Sequence, residues 1–298
     1  METIMSASPS FTAPVPLSAA LAAIVAAAAP SLVAVQGRRS RSSGFAWRDN
    51  LVVTADEALP DDDEITIRLG GGESRAVTVV GRDPSTDIAV LRVDGAGLVP
   101  MRLDAPPPAI GSLALACASH DGMPSAAFGI VSLVAPAWRS LRGGDIAARI
   151  ELDLRLPHGA EGGLAVDAEG KAFGMVVRGP RHRVLALPGA TINEIAERLL
   201  RDGRVGRGYL GLALHSVRIA ADQPGLMVMN VDPKGPGATA GVRQGDVIAA
   251  WDGQPVRGVG RLLRELGPTS IGRTIHLSLR RGGEPMELDL SVGERLQE

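Results

Sequence analysis

Short apolar runs, separated by turn-forming residues, fill about the first two thirds of the chain. Runs of this length, bounded by Gly, Pro and Asp clusters, are typical of β-strands. Breaks such as Gly70-Gly71-Gly72 and residues 104–108 fall at hairpin-like intervals. The pattern predicts about a dozen strands, at residues 31–36, 44–47, 51–54, 64–69, 75–81, 88–93, 112–118, 127–134, 147–153, 163–166, 172–177 and 184–187.

Two segments have helical patterns instead. Residues 190–202 repeat apolar positions at helical spacing, with Thr191 as the expected N-cap and Gly203 as the expected C-cap. Near the N-terminus, residues 19–29 are apolar and small, and Pro30 follows them. This segment predicts a helix that opens the first domain, after about sixteen disordered residues.

A secretory signal is the alternative reading of the N-terminus. No Lys or Arg precedes Arg38, so the basic region of a signal peptide is absent. The segment is also too short to cross a bilayer. We therefore expect a cytoplasmic protein without a membrane span, and a periplasmic one if residues 1–29 act as an atypical signal. Residues 38–43, RRSRSS, are expected to form an exposed hairpin tip.

Composition supports a globular chain and narrows its partners. With 298 residues, 45% of them hydrophobic, the chain can form about two domains. A net charge of −2 and 3% aromatic residues give no sign of nucleic-acid binding. The single cysteine, Cys117, lies in an apolar run and is expected to be a buried structural thiol. Nothing in the sequence predicts a cofactor.

Several motifs resemble, in the right order, those of HtrA-type (DegP/DegQ-like) serine proteases. Residues 158–164, HGAEGGL, resemble the nucleophile loop G-N-S-G-G-P-L of that family, and residues 80–94 resemble the segment that carries its aspartate. Residues 44–59 resemble the strand and turn that carry its histidine, while residues 129–132 and 185–188 resemble two later strands. The resemblance implies a mostly β fold, in which a trypsin-like double β-barrel over residues 17–203 precedes a PDZ domain.

The catalytic positions depart from the family pattern. Asp87 occupies the aspartate position, but Glu57 occupies the histidine position and Glu161 the serine position. A carboxylate cannot replace the serine nucleophile in ordinary acyl transfer, so we predict that no catalytic residue set is intact. The N–H groups of Gly159 and Glu161 could still form an oxyanion-hole-like turn.

Three carboxylates in one cleft would repel each other, so at least one pKa should be raised unless a cation neutralises them. Three alternatives stay open. The side chains could face solvent or pair with an arginine such as Arg155, they could hold a hard cation, or they could perform unrecognised acid–base chemistry. The first is favoured, and no metal site is predicted. None of the five histidines has a serine partner at the nucleophile position.

The last third of the chain, residues 204–298, resembles a bacterial PDZ domain. The motif at residues 231–256 contains Gly241, Gly245 and Asp246 at the family positions. PDZ domains bind an extended peptide at a sheet edge and its C-terminal carboxylate at a backbone loop. The expected peptide-binding residues are Tyr209, Leu210, Gly211 and Leu212 in the loop and strand, and Leu262, Leu263 and Leu266 in the facing helix.

These observations predict a non-catalytic HtrA-like pseudoprotease that binds peptides, protein C-termini or unfolded segments. The alternative is an active endopeptidase with a relocated site, or a regulator that assembles with homologous protease subunits. The resemblance also implies a homo-oligomer, a trimer formed through the protease domain.

Overall fold

The computed structural model describes residues 14–38, 40–60, 64–220 and 223–294. Their contacts divide the chain into two compact units. The first contains the described residues up to Gly81, together with Asp87–Pro136 and Ala148–Glu197. The second contains Arg82–Thr86, Ala137–Ala147 and the described residues from Arg198 onwards. The domain boundary expected at residue 203 stays a prediction.

Strands dominate the described residues, so the mostly β class is confirmed. The helices are α1 Pro14–Ala28, α2 Gly189–Asp202, α3 Pro236–Thr239 and α4 Val259–Glu265. The first fifteen strands are β1 Leu32–Gln36, β2 Arg41–Arg48, β3 Leu51–Thr54, β4 Thr66–Arg68, β5 Ser74–Ala76, β6 Thr78–Asp83, β7 Ile88–Arg92, β8 Leu113–His120, β9 Met123–Ala135, β10 Trp138–Arg139, β11 Asp145–Ile146, β12 Arg149–Asp153, β13 Leu164–Asp167, β14 Ala172–Arg178 and β15 Val184–Pro188. The later strands are β16 Gly208–Tyr209, β17 Leu212–Ala220, β18 Gln223–Val231, β19 Val247–Trp251, β20 Gln254–Pro255, β21 Thr274–Arg281, β22 Glu284–Ser291 and β23 Gly293–Glu294.

The N-terminal half of the first unit is a seven-stranded antiparallel sheet in the order β5-β4-β1-β2-β3-β7-β6. Its core is aliphatic and includes Val33, Val52, Ile67 and Leu91, all fully or almost fully buried. The sequence pattern predicts six strands in this half. The structure has seven because the run at residues 75–81 is divided between β5 and β6.

The C-terminal half is a closed six-stranded barrel in the order β12-β15-β14-β13-β8-β9. Phe173, Val131 and Ile150 fill it together with small alanines from β8. Cys117 is buried in β8, and its burial raises the pKa of the thiol to about 11. A thiol in this environment stays protonated at neutral pH, as expected for a structural cysteine.

Three local expectations need correction. Helix α1 begins at Pro14, so residues 14–16 are helical and the rest of the stretch expected to be disordered, residues 1–13, lies outside the described part. Helix α2 begins at Gly189, which places Thr191 inside its first turn rather than at the N-cap. Of the expected hairpin tip, residues 41–43 belong to β2, and Ser42 and Ser43 are buried.

The second unit is built around the sheet β17-β18-β19-β21-β22, to which β20 adds at β19. Leu226, Ile248, Leu277 and Leu290 form the centre of its core. The buried Asp246 accepts two hydrogen bonds from the Arg281 guanidinium, each 2.9 Å long, and one from the Arg243 N–H. The Gly-Asp pair of the PDZ-like motif therefore fixes a turn against the sheet. In the described part of the chain, no helix is long and apolar enough to cross a membrane.

Candidate functional site

The loop between residues 157 and 163 keeps a defined backbone conformation although it carries no serine. Two tight turns shape it: the Ala160 N–H donates to the Pro157 carbonyl at 3.2 Å, and the Gly163 N–H donates to the Ala160 carbonyl at 3.1 Å. Ser43 on β2 holds the loop from outside. Its backbone N–H donates to the Glu161 carbonyl, and its hydroxyl donates to the Gly159 carbonyl, both at 2.8 Å.

Glycine is required at position 162 by geometry. Gly162 has a φ of 84°, and a Cβ there would lie 2.1 Å from the Ser43 carbonyl oxygen. Any other residue would push the loop away from β2. The Gly-Gly pair that resembles a protease motif thus has a structural reason to be present, independent of catalysis.

The Glu161 side chain points to an arginine rather than lying in the loop. The Arg178 guanidinium, at the end of β14, donates to the Glu161 carboxylate and to the Leu156 carbonyl. Arg178, and not Arg155, is therefore its partner. The N–H groups of Gly159 and Glu161 have no acceptor among the residues that the structure describes.

Asp87 and Glu57 are joined directly. The Glu57 N–H donates to Asp87 Oδ1 at 2.7 Å, and Asp87 has a φ of 60°. Burial is the main cause that raises the pKa of the Asp87 carboxyl to about 7. The hydrogen bond from the Glu57 N–H opposes this shift, while the charges of Glu57, Asp56 and Glu161 add to it. The raised pKa expected in this group of carboxylates is thus found at the aspartate position.

Glu57 and Glu161 line a cleft of about 580 Å³ in the first unit. The other lining residues include arginines 38 and 41, His120 and His158. The structure therefore brings the three expected carboxylates into one neighbourhood. Within the described ranges, no three His, Cys, Asp or Glu side chains are arranged to hold a metal ion.

Among the described residues, no hydroxyl that could act as a nucleophile is hydrogen-bonded to a histidine of this cleft. Across the described ranges, no serine or threonine hydroxyl is hydrogen-bonded to a histidine. Ser43 is committed to backbone groups, and the Ser119 hydroxyl is buried without a hydrogen-bond partner. A hydroxyl can attack a carbonyl only when a base can take its proton. Such a pair is not present here.

In the second unit, hydrogen bonds to backbone carbonyls fix the loop at residues 209–212, which is expected to bind a peptide carboxylate. The Leu210 carbonyl accepts from the Gly237 N–H at 2.7 Å, and the Gly211 carbonyl accepts from the Asp232 N–H at 2.8 Å. The Tyr209 hydroxyl donates to Asp232 at 2.8 Å. In the part of the chain that is described, the N–H groups of Leu210 and Gly211 have no acceptor. Strand β17, which continues from this loop, is an edge strand of its sheet.

Two of the three leucines expected in the helix wall of the groove belong to the core instead. Leu262 and Leu266 of the α4 region are buried, whereas Leu263 is 56% exposed. Leu210 is buried in the core, and Leu212 is partly buried and packs against it. Residues four apart lie on the same helix face, so Leu262 and Leu266 point inward together and Leu263 faces another direction.

Family models match both units. A model described as a trypsin-like peptidase domain matches residues 42–175, and a model described as a PDZ domain matches residues 208–292. The matches agree with the order expected from the sequence.

Curated relatives extend the match over most of the chain. A probable periplasmic serine endoprotease, DegP-like, from Halomonas elongata is 30% identical over 273 residues, which are 86% of this chain and 57% of the relative. A protein of the same description from Pseudomonas putida is 31% identical over 271 residues, 86% of this chain and 56% of the relative. The chain thus spans little more than half the length of these relatives.

Solved structures give the same result. The serine endoprotease from Yersinia pestis is 27% identical, with a TM-score of 0.66 over 91% of this chain and 97% of that structure. The HtrA-type protease AlgW with a tripeptide is 26% identical, with a TM-score of 0.64 over 93% of this chain and 98% of that structure.

The relatives overturn the expected cytoplasmic location, since their descriptions name periplasmic enzymes. The absence of Lys and Arg before Arg38 therefore does not indicate the location of this protein. The chain belongs to the HtrA-type family and consists of a trypsin-like peptidase domain followed by a PDZ domain.

Proposed function

We propose that this protein is a catalytically inactive member of the HtrA-type family that binds peptides through its PDZ domain. The observation that carries the proposal is the state of Glu161, whose carboxylate stands at the nucleophile position and is paired with Arg178. A carboxylate held by a guanidinium is a stabilised anion with no hydroxyl to activate. The relatives whose descriptions name serine endoproteases are the reason to test this directly.

The base position supports the same conclusion. Glu57 offers its backbone N–H to Asp87, and its side chain carries a carboxyl where an imidazole would be needed. Asp87 could orient a histidine, but it has none to orient. Loss of triad members typically lowers kcat by several orders of magnitude even where oxyanion stabilisation is kept.

Peptide binding rests on the second unit. Among the described residues, the backbone N–H groups of Leu210 and Gly211 have no acceptor, the edge strand β17 can accept an added strand, and the exposed Leu263 offers apolar contact. These are the parts that strand addition and carboxylate capture need. AlgW, which is similar in fold, was solved with a bound tripeptide. A hydrophobic C-terminal peptide is the ligand class that fits.

We place the protein in the periplasm, following the descriptions of its relatives, and we propose that it self-associates. Helix α1 has no charged residue, and Leu17 in it is 48% exposed. On the barrel, Phe128 and Ile130 of β9 are 62% and 40% exposed, and Ile110 is 61% exposed. Exposed apolar groups of this size favour burial between protomers. A trimer is the oligomer implied by the family.

The test combines an activity assay with a binding assay on the full chain. We expect no casein cleavage, no labelling by a fluorophosphonate, and micromolar binding of a hydrophobic peptide with a free C-terminus. Amidation of that peptide removes the charge that the loop would bind, so affinity should fall by about tenfold or more. Labelling that disappears on substitution of a single serine would show an active enzyme. Equal binding of both peptides would show that the loop does not recognise a carboxylate.

A further inference from the structure

A second concave site lies in the PDZ domain, away from the loop at residues 209–212. It is a pocket of about 270 Å³ between the β19–β20 hairpin, helix α4 and the start of β21. The helix contributes Arg261, Leu262 and Glu265 to it, and does not contribute Leu263. The pocket therefore lies on a different side of α4 from the side chain that supports the proposed peptide groove.

The floor of this pocket is apolar. Val256, Leu262 and Ile275 line it and are buried, and the partly buried Trp251 and the exposed Pro255 complete the apolar wall. Ligand pockets in proteins typically begin at about 300 Å³ and combine an apolar lining with a few polar groups. A volume just below that range suits a single short alkyl chain or one aromatic ring, rather than a peptide.

The rim of the pocket carries more positively than negatively charged side chains. Three arginines line it (Arg257, Arg261 and Arg273), with Asp252 and Glu265. Asp252 accepts from the His276 N–H at 2.8 Å and lies 3.8 Å from the Arg273 guanidinium. The Glu265 carboxylate lies 3.1 Å from Arg139.

Both carboxylates are therefore already engaged. The Arg257 and Arg261 side chains, by contrast, are exposed, and neither guanidinium forms a hydrogen bond or ion pair with any residue that the structure describes. Two cations without partners beside an apolar cavity are complementary to a ligand with an apolar body and one negative charge. Guanidinium groups bind carboxylates in a bidentate geometry, which adds orientation to the attraction.

We propose that this pocket binds a small apolar monocarboxylate, such as a medium-chain fatty acid. The alkyl chain lies against Val256, Leu262 and Ile275, and the carboxylate lies between Arg257 and Arg261. This site is separate from the peptide groove and does not depend on whether the proposed function is correct.

Octanoate is the probe, with 1-octanol as a neutral molecule of the same chain length. The chain has three tryptophans, and only Trp251 lines the pocket. In the ¹⁵N-labelled full chain, the indole N–H signal of Trp251 therefore reports ligand binding in the pocket, and the signals of the other two tryptophans serve as internal controls. Trp251→Phe assigns the signal. We expect octanoate to move the Trp251 signal, with a Kd on the order of 0.1–1 mM, and to leave those of Trp47 and Trp138 in place.

The variants separate charge recognition from apolar contact. Arg261→Gln and Arg257→Gln should each weaken octanoate binding by about fivefold, because each removes one charge-assisted contact. Arg280→Gln is the matched control, since Arg280 is exposed on the same sheet and does not line the pocket. It should leave the Kd unchanged. Octanol should bind at least about fivefold more weakly than octanoate.

Three results would overturn the proposal: no shift of the Trp251 signal, equal binding of octanol and octanoate, or equal effects of the Arg261 and Arg280 substitutions. Displacement of octanoate by a hydrophobic C-terminal peptide would also overturn it, because the ligand would then lie in the peptide groove. Unchanged octanoate binding in a protein that binds no peptide would support the pocket and reject the proposed peptide function.

Discussion

The Glu57 backbone N–H donates to the Asp87 carboxylate at 2.7 Å, which ties the residue at the histidine position to the residue at the aspartate position. The bond lowers the pKa of Asp87, but burial outweighs it and the pKa rises to about 7. A partly protonated carboxyl therefore lies against the Glu57 backbone at neutral pH.

This pKa predicts a pH-dependent effect of Asp87→Asn. The folded pKa lies above the unfolded value of 3.8, so ionisation of Asp87 costs stability. The cost is absent below about pH 4, grows as the pH rises towards 7, and is constant above that. The amide keeps an oxygen acceptor for the Glu57 N–H and carries no charge. We expect the variant to be more stable by up to about 4 kcal/mol at pH 8 and unchanged near pH 4.

Urea unfolding at both pH values measures this difference, with Asp94→Asn as the control because Asp94 is exposed. A destabilised variant at pH 8 would show instead that the ionised carboxylate is needed for the fold.

The Glu161–Arg178 pair should contribute little to stability. The two side chains are 27% and 37% exposed, so solvent screens their attraction. A double-mutant cycle with Glu161→Gln and Arg178→Gln should give a coupling energy below about 1 kcal/mol. The exposed Arg48–Glu197 pair provides a reference cycle. A coupling energy above about 2 kcal/mol would mean that the pair is effectively buried.

Restoring the triad residues should restore at most a trace of activity. Glu57→His with Glu161→Ser places a histidine beside Asp87 and a serine in the loop, but it leaves the Arg178 guanidinium without its anion. An unneutralised guanidinium near the new histidine would disfavour the imidazolium that forms during catalysis, so fluorophosphonate labelling should be slow. Adding Arg178→Gln should increase the labelling rate, and Asp87→Asn in the same background should abolish it. Rapid casein cleavage by the double variant would show a site still organised for catalysis.

The exposed and buried leucines of α4 should respond differently to charge. Leu263→Glu should lower peptide affinity by about tenfold with little change in Tm, because the side chain is exposed. Leu262→Glu would bury a carboxylate in the core and should unfold the PDZ domain. Isothermal titration with a hydrophobic C-terminal peptide, together with thermal unfolding, distinguishes the two. Unchanged affinity in Leu263→Glu would remove this residue from the groove.

His276 should titrate above its ordinary pKa. Its Nδ1 lies 2.7 Å from Asp289 and its Nε2 lies 3.1 Å from Glu287, and the hydrogen bond to Asp289 is the main cause that raises the pKa of His276. The stability that this group adds is present below pH 6.5 and is lost as the pH rises through the folded pKa. NMR titration should show the shift, and Asp289→Asn should reduce it while Glu284→Gln does not. A midpoint at or below 6.5 would contradict the contacts.

The strand pattern, the order of the two domains and the glycine positions could be predicted from local sequence, because each depends on nearby residues. The partner of Glu161 could not be predicted in this way. Arg178 is 17 residues away in sequence and becomes a neighbour of Glu161 only when β14 takes its place in the barrel. The helix that carries Leu262, Leu263 and Leu266 could be recognised, and helical spacing places Leu262 and Leu266 on one face. It could not say whether that face meets the core or the groove, because only the packing of α4 on its sheet decides this.

Ser43 shows that the loop at residues 157–163 has a structural role besides the catalytic role of the corresponding loop in active proteases. It lies on β2 and holds the carbonyls of Gly159 and Glu161, so the loop acts as a joint between the seven-stranded sheet and the barrel. A connection of this kind must keep its shape whether or not the loop carries a nucleophile. The spacing of Gly159 and Gly162 is therefore needed for the assembly of the two halves of the domain. The ability to cut a peptide bond depends instead on the side chain at position 161.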